Sequence, residues 1–200
     1  LLINSLDSFR ECTSLKSVTM PANLEMIGSY CFLDCTALTT VILNDKLTSI
    51  GDYAFNGCTA LKSIKFPCSL TSIGLSSFEG CTDLTTVTYG MGMTETGNLA
   101  FRNASVSKIN FSSTITEISP WSFYGCNFVK LEIPETITKI NIRGFANCTA
   151  LQEVTVHNPN CKPMQAAVKT LSTALSKALL LRDTQIQLPK PMLKQRAINL

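Results

Sequence analysis

The chain has 200 residues, of which 45% are hydrophobic and 16% are charged, which is typical of a folded protein and excludes disorder throughout. Its net charge is only +3, from 17 basic and 14 acidic residues, so composition gives no case for nucleic acid or an anionic membrane as the partner. No run of about 18 consecutive apolar residues is present, so the sequence predicts no direct membrane insertion.

The N-terminal sequence, LLINSLDSFRE, lacks an initiator methionine. It also lacks the basic start, apolar run and small-residue cleavage site of a signal peptide. We therefore expect the chain to be a fragment or a mature form. Nine cysteines are present, and because this number is odd they cannot all pair within one chain.

One pattern repeats at a short and nearly constant interval through residues 1 to 160. Each unit is marked by a phenylalanine: Phe9, Phe32, Phe55, Phe78, Phe101, Phe123 and Phe145. Three positions later stands a cysteine in every unit but one: Cys12, Cys35, Cys58, Cys81, Ala104, Cys126 and Cys148. A unit this short cannot bury an apolar face by itself, so the units must stack as a solenoid of about seven repeats.

Each unit contains two short extended segments. In the first, a branched apolar residue stands between polar ones, as Ile64 does between Ser63 and Lys65, which predicts a half-buried strand. The second segment, LTSIG in the third unit, is extended or turn-like and ends in Gly74, where glycine is free to adopt a positive φ.

The third unit reads C-T-x-L-x-x-I-x-F-P-x-x-L-x-x-I-G-x-x-x-F and resembles the BspA-like (treponemal-type) leucine-rich repeat. The matching residues are Cys58, Leu61, Ile64, Pro67, Leu70, Ile73, Gly74 and Phe78. The resemblance covers residues 1 to 160. It implies a right-handed superhelical solenoid with a parallel sheet on one face, no catalytic site, and a surface or secreted location. Members of this family are associated with adhesion to host matrix proteins.

The repeated cysteines have three possible roles: metal ligands, disulfide partners or packing residues. Cys31 and Cys35 have the spacing of half a zinc site, but no second pair follows at the required distance. Stacked column cysteines would point the same way into the core, which disfavours disulfides between them. Ala104 fills one position, as alanine can replace a packing thiol, so packing is favoured. Cys31, Cys68 and Cys161 lie outside the column, and Cys68 is expected nearest the surface.

Other candidate residues have structural explanations. His157 falls at the position held by Pro21 and Pro67 in other units, which indicates a turn residue, and no nucleophile motif points to it. The sequence GMGMTETG is only loosely similar to a phosphate-binding loop and opens no predicted helix. Asn103, Asn110 and Asn147 begin N-x-S/T sequons, which matter only for a secreted eukaryotic protein.

The outward positions of the predicted strands define one surface, called the sheet face below. Its two columns are Ser17, Thr40, Ser63, Thr86, Lys108, Lys130 and Glu153, and Thr19, Ile42, Lys65, Thr88, Asn110, Glu132 and Thr155. Repeat solenoids commonly bind partners on such faces. No aromatic anchor is present, although aromatic residues usually dominate binding energy. The face is therefore either a weak, avidity-driven binding surface or a solvated sheet.

The repeat ends near residue 160, and residues 161–200 form a different C-terminal segment. Apolar residues from Met164 to Leu179 recur at helical spacing after Pro163, which predicts an amphipathic helix near 163–181. Such a helix would cover the open end of the solenoid. Residues 187–200 are basic and broken by proline, and are expected to be extended or disordered.

The repeat, the family resemblance and the missing catalytic constellation favour a non-catalytic interaction or adhesion module, and the resemblance implies that it belongs to a cell-surface or secreted protein. The ligand class is a protein or a glycan, with host extracellular matrix as one candidate, and no cofactor or metal is expected. The alternative is a structural spacer within a larger surface protein. An enzyme is disfavoured because the chain has one histidine and no catalytic motif. The oligomeric state is left open.

Overall fold

The computed structural model describes residues 7–158, 160, 162–163 and 186–187. In this part the chain winds into seven stacked coils, numbered one to seven here by their phenylalanines from Phe9 to Phe145. Each of the first six coils begins with the turn around its phenylalanine, starting three positions before it, and runs through one or two short strands to the next such turn. The described residues contain no helix. The predicted repeat solenoid is confirmed.

One strand from each coil forms the first strand column. These strands are β1 (Ser17–Thr19), β3 (Thr40–Ile42), β5 (Ser63–Lys65), β7 (Thr86–Thr88), β8 (Lys108–Asn110), β10 (Lys130–Ile133) and β12 (Glu153–Val156). The second column holds two-residue strands: β2 (Met26–Ile27), β4 (Ser49–Ile50), β6 (Ser72–Ile73), β9 (Glu117–Ile118), β11 (Lys139–Ile140) and β13 (Lys162–Pro163). The strands are short because each coil must turn to bring the next unit back to the same position.

Strands within both columns pair in parallel, and equivalent repeat positions lie side by side. Ile64 pairs with Val87 and Val87 with Ile109, so the branched residues of successive units are neighbours. The first column divides into three hydrogen-bonded groups, β1–β3, β5–β7–β8 and β10–β12, and the second into two, β2–β4–β6 and β9–β11–β13. The parallel sheet expected on one face is thus a series of short ladders.

The C-terminal segment returns to the solenoid as strand β14 (Ile186–Gln187). This strand pairs antiparallel with β12, with Glu153 opposite Gln187 and Val154 opposite Ile186. Pro163, expected in the first turn of a helix, lies in β13 beside β11. The rest of the predicted helix, residues 164–181, lies outside the described residues. A C-terminal strand at this edge was not predicted from the sequence.

The core is built from the repeated apolar columns. The phenylalanine rings stack nearly parallel from Phe9 to Phe145, with successive centroids 5.1–5.4 Å apart. From the second to the sixth coil these rings are completely buried, as are the second-segment residues Leu47 and Leu70. Burying an aromatic ring stabilises a fold by roughly 1.5–3 kcal/mol, so the stack is the main source of cohesion between coils.

The segment around each phenylalanine has an unusual backbone. In each coil, the residue two positions before the phenylalanine and the residue two positions after it adopt a left-handed backbone conformation. In the second coil these are Tyr30 (φ 59°) and Asp34 (φ 57°). The strain is offset by hydrogen bonds to the next coil, because the N–H groups of Tyr30, Phe32 and Asp34 donate to carbonyl groups of the third coil at 2.8–2.9 Å. The turn segments thereby form a ladder of their own.

The glycines after the second segment allow close packing between coils. Gly51 and Gly74 do not use the positive φ that is open to glycine. A Cβ on Gly51 would lie 2.5 Å from the backbone nitrogen of Ser29, so glycine is needed there because consecutive coils approach closely. In the same column only Gly97 has a positive φ, of 85°.

Candidate functional site

The sheet face lies on the solvent side of the first strand column. Ten of its residues are exposed: Ser17, Thr19, Thr40, Ile42, Ser63, Lys65, Lys108, Asn110, Lys130 and Glu132. Four are half-buried: Thr86, Thr88, Glu153 and Thr155. The parallel register places the members of each column side by side within each ladder. Ile42 is the one large apolar residue of the face, and 54% of its surface is exposed.

A third outward column borders the sheet face and was missed by the sequence reasoning. It stands one position before each strand and is exposed throughout: Lys16, Thr39, Lys62, Thr85, Ser107, Val129 and Gln152. The hydroxyl of Thr39 donates to the carbonyl of Lys16 at 3.0 Å, and the hydroxyl of Thr85 to that of Lys62 at 3.3 Å. The signal was present in the sequence, because these positions share the same period.

Charge divides these three columns into two parts. In coils one to five they carry four lysines, Lys16, Lys62, Lys65 and Lys108, and no carboxylate. Within the described part of the chain, no carboxylate pairs with any of the four. In coils six and seven, Lys130 Nζ lies 2.8 Å from Glu153 Oε2, and this hydrogen bond raises the pKa of Lys130.

A second surface, called the turn face below, lies where the chain turns around each phenylalanine. It is the strip that begins three positions before each phenylalanine and ends two positions after it, and its larger outward side chains are Tyr30, Tyr53, Leu75, Leu99, Arg102, Trp121, Tyr124, Ile142 and Arg143. Here the aromatic and arginine residues that the sheet face lacks are partly or fully exposed. The repeat pattern predicts the phenylalanine segments only as core, and it does not predict this exposed surface.

The side chains of the turn face contact one another between coils. The Arg143 guanidinium lies 4.3 Å from the centroid of the Trp121 ring, and Trp121 lies 5.0 Å from Tyr124. The Tyr30 and Tyr53 rings stack at 5.2 Å. Arg102 lies 5.9 Å from the Tyr124 ring and pairs with Glu79 at 3.4 Å. Such contacts hold large side chains in fixed positions at the surface.

The cysteine column is a packing feature, as predicted, in every coil except the first, where the cysteine is exposed, and the fifth, where Ala104 takes its place. Cys35, Cys58, Cys81, Cys126 and Cys148 are buried, and each thiol donates to the carbonyl of the phenylalanine one coil earlier, at 3.0–3.3 Å. Burial raises the pKa of Cys81 and Cys148 to about 12. Cys12, in the first described coil, is exposed.

The non-column cysteines differ in exposure. Cys68 is exposed, as predicted, whereas Cys31 is buried and burial raises its pKa to about 11. Cys161 lies outside the described residues. No cluster of three or more potential metal-binding side chains is found among the described residues.

The remaining sequence candidates lie at the surface. His157 is exposed directly after β12, and its N–H donates to the carbonyl of Ile133 at 2.9 Å. The three sequon asparagines Asn103, Asn110 and Asn147 are exposed. In GMGMTETG, a Cβ on Gly90 or Gly92 would overlap backbone atoms of the preceding coil, so this sequence packs as an irregular coil. Within the described residues, no helix is long and apolar enough to cross a membrane.

The stacked coils, the two strand columns and the repeated phenylalanine turns define the chain as a leucine-rich-repeat solenoid protein. The family model of the BspA type leucine rich repeat region matches residues 5–130 and 92–168, in six copies. The chain belongs to this family. Membership supports the interpretation of the chain as a protein-interaction module. No curated protein sequence matches the chain.

Solved structures of bacterial proteins are similar to this chain. The T. pallidum Leucine Rich Repeat protein is 24% identical with a TM-score of 0.56, over 88% of this chain and 76% of that one, and supports the fold. A leucine rich cell surface protein from Faecalibacterium prausnitzii is 25% identical (TM-score 0.36, 74% of this chain covered). A leucine-rich repeat protein from Bacteroides ovatus is 17% identical (TM-score 0.44, 81% covered). The chain spans 55% and 64% of the length of the latter two.

Proposed function

We propose that the chain is a non-catalytic adhesion module of a cell-surface or secreted protein, and that the sheet face with its bordering column contacts the ligand. The observation that carries this proposal is the charge of coils one to five. Four exposed lysines stand there among threonine and serine hydroxyls, without a carboxylate in the three outward columns. A surface of this kind attracts a ligand with repeated negative charges.

The spacing of the lysines suits an extended ligand. Coils stack about 4.8 Å apart, so Lys16 and Lys62, two coils apart in one column, are separated by roughly 10 Å. Lys65 follows Lys62 along the same strand, at a similar distance. An acidic segment of a matrix protein or an anionic glycan carries charges at such intervals. Hydroxyl groups between the lysines supply additional hydrogen-bond donors and acceptors.

The location and the domain organisation are part of the same proposal. An adhesion module must meet its ligand outside the cell, which requires a surface or secreted location. We assign residues 1–160 to the solenoid and residues 161–200 to a closing segment. The pairing of β14 with β12 supports this division, because it covers the edge strand of the last coil.

The test is binding of the chain to immobilised matrix proteins and to anionic and neutral glycans. A variant with Lys62→Ser, Lys65→Ser and Lys108→Ser removes three of the four lysines without changing the core. We expect saturable binding that weakens at least about tenfold in this variant and also weakens as salt rises. The matched control is Lys46→Ser, which removes an exposed lysine from a turn outside these columns.

Two outcomes would contradict the proposal. One is the absence of saturable binding to every ligand of the panel. The other is binding that the triple lysine variant leaves unchanged while the chain stays folded.

A structural spacer is the second candidate function. It is favoured by the lack of an aromatic anchor on the sheet face, because interface energy is usually concentrated in such residues. A spacer predicts no saturable ligand and no effect of the lysine substitutions on cell attachment. Shortening the solenoid by whole coils would instead change the reach of the parent protein.

A further inference from the structure

We propose that the turn face is the contact surface of a two-fold symmetric dimer, in which a second copy of this chain binds antiparallel to the first. The surface is separate from the sheet face, so the dimer would leave the adhesion surface accessible. Three observations carry the proposal: the distribution of charge along the turn face, the position of its apolar residues, and the exposure of its aromatic and arginine side chains.

Charge changes sign along the turn face. Coils one to four carry five carboxylates, from Asp7, Glu11, Asp34, Asp52 and Glu79, and a single arginine, Arg10, which pairs with its acidic neighbours. Coils five to seven carry Arg102 and Arg143 and no carboxylate. Among the described residues no carboxylate forms an ion pair with Arg143. One end of the surface is therefore acidic and the other basic.

This distribution is self-complementary about a point between coils four and five. A two-fold axis there places coil two opposite coil seven of the second copy, and so brings the coil of Asp34 against the coil of Arg143. It also places coil four opposite coil five, so that the Glu79–Arg102 pair of one copy faces the same pair of the other. In a symmetric interface every such contact occurs twice, which is why a self-complementary pattern favours two-fold pairing. Parallel stacking would instead bring like charges together.

Apolar residues lie at the centre of the same strip. Leu75 in coil four is 38% exposed, and Leu99 in coil five is partly exposed beside it. On either side the strip carries the Tyr30–Tyr53 stack and the Trp121–Tyr124 pair, which the axis places opposite each other. An apolar centre flanked by aromatic and arginine side chains is the usual composition of a protein interface.

The strip is small, and this sets the expected affinity. Six coils span roughly 25–30 Å, and a strip of this length about 15 Å wide gives on the order of 400 Å² for each copy. Total burial would be about 800 Å², below the roughly 1,200 Å² at which standard specific interfaces begin, so the dimer is expected to be weak and to depend on concentration and salt.

The test is a charge-reversal pair measured by sedimentation equilibrium of the full chain, with reductant present so that the exposed Cys12 and Cys68 form no intermolecular disulfide. Arg143→Glu and Asp34→Lys each replace two attractive contacts by two repulsive ones in their own homodimers. Each is therefore expected to weaken self-association at least about tenfold. An equimolar mixture of the two variants restores both attractive contacts and is expected to dimerise as strongly as the original chain.

The control is Lys65→Glu, which makes the same change in charge as Arg143→Glu but on the sheet face, and is expected to leave dimerisation unchanged. Asp34→Asn serves if Asp34→Lys does not fold, because asparagine tolerates the left-handed conformation, and it is expected to weaken dimerisation partially. The proposal is overturned if the original chain stays monomeric up to about 1 mM, where even weak association is visible. It is also overturned if the mixed variants do not associate, or if Lys65→Glu weakens the dimer equally.

Discussion

The thiol of Cys81 donates a hydrogen bond to the carbonyl oxygen of Phe55, with a sulfur–oxygen distance of 3.2 Å. The same oxygen accepts the N–H of Cys58, also at 3.2 Å. One carbonyl thus closes the turn of its own coil and holds the thiol of the next coil. The cysteine column is therefore a packing element that joins coils, in which sulfur fills space and supplies a weak donor.

The first prediction concerns alkylation by iodoacetamide in the folded chain. We expect Cys12 and Cys68 to react rapidly, because both are exposed, and Cys58, Cys81 and Cys126 to react only on unfolding. The thiolate is the reactive form, and burial both raises the pKa and blocks access. Peptide mass spectrometry after a timed reaction measures each site.

Denatured protein provides the control for that experiment, since all cysteines should then react at similar rates. Rapid modification of Cys81 in the folded chain would contradict the packing role. Equal protection of Cys68 would show that its surroundings differ from those described.

The second prediction is that the free energy of unfolding falls at alkaline pH. A cysteine thiol in an unfolded chain has a pKa of about 8.5, whereas burial raises the pKa of Cys35 to about 11 and that of Cys81 to about 12. Between these values the unfolded state loses the proton and the folded state keeps it. The stabilising contribution of the thiols is therefore complete below about pH 8.5 and is lost as pH rises towards 11–12.

Urea unfolding at a series of pH values from 7 to 11 measures this slope. Cys81→Ala is the matched variant, because it removes one buried thiol, and its free energy of unfolding should fall less steeply with pH. Identical slopes for the two proteins would rule out a contribution from Cys81.

The third prediction compares the two columns that join the coils. The Phe78 ring is fully buried between Phe55, at 5.2 Å, and Phe101, at 5.4 Å, so Phe78→Ala should destabilise the fold by about 3–5 kcal/mol. Cys81→Ala should cost only about 1 kcal/mol, since the Phe55 carbonyl keeps the Cys58 N–H as a partner. The natural alanine at position 104 shows that the column accepts this residue.

Urea unfolding at neutral pH gives both values. A cost for Cys81→Ala that equals the cost for Phe78→Ala would show that the thiol hydrogen bonds, and not the ring stack, hold the coils together.

The repeat, the buried columns and the sheet face were predictable because each follows from periodicity in the sequence. The regular period places Ile64 beside Val87 with no further information. The turn face was not predictable in the same way. Tyr53, Trp121 and Arg143 each stand shortly before a buried phenylalanine, and they face solvent only because the backbone there is left-handed. Residues other than glycine rarely adopt a left-handed backbone conformation, so their identity in the sequence does not predict it.

The strand β14 was missed for a different reason. Its partner β12 ends at Val156, far earlier in the chain, and the intervening sequence has no repeat to carry the register. The role of Gly74 was not predictable because two properties of glycine, its conformational freedom and its lack of a side chain, give the same residue in a sequence. Only the distance between coils distinguishes them.

The fourth prediction separates these two properties. Gly74→Ala should destabilise the fold by roughly 3 kcal/mol, because its Cβ would lie 2.5 Å from the backbone carbon of Gly51 in the preceding coil, and backbone atoms cannot move aside without separating the coils. Gly80→Ala should cost about 1 kcal/mol, since a Cβ there would lie 4.0 Å from the backbone nitrogen of Gly57, an ordinary contact, and the substitution adds only the left-handed strain at φ 72°. Urea unfolding of the two variants measures the difference. A larger cost at Gly80 than at Gly74 would mean that backbone conformation, and not close approach, limits the spacing of the coils.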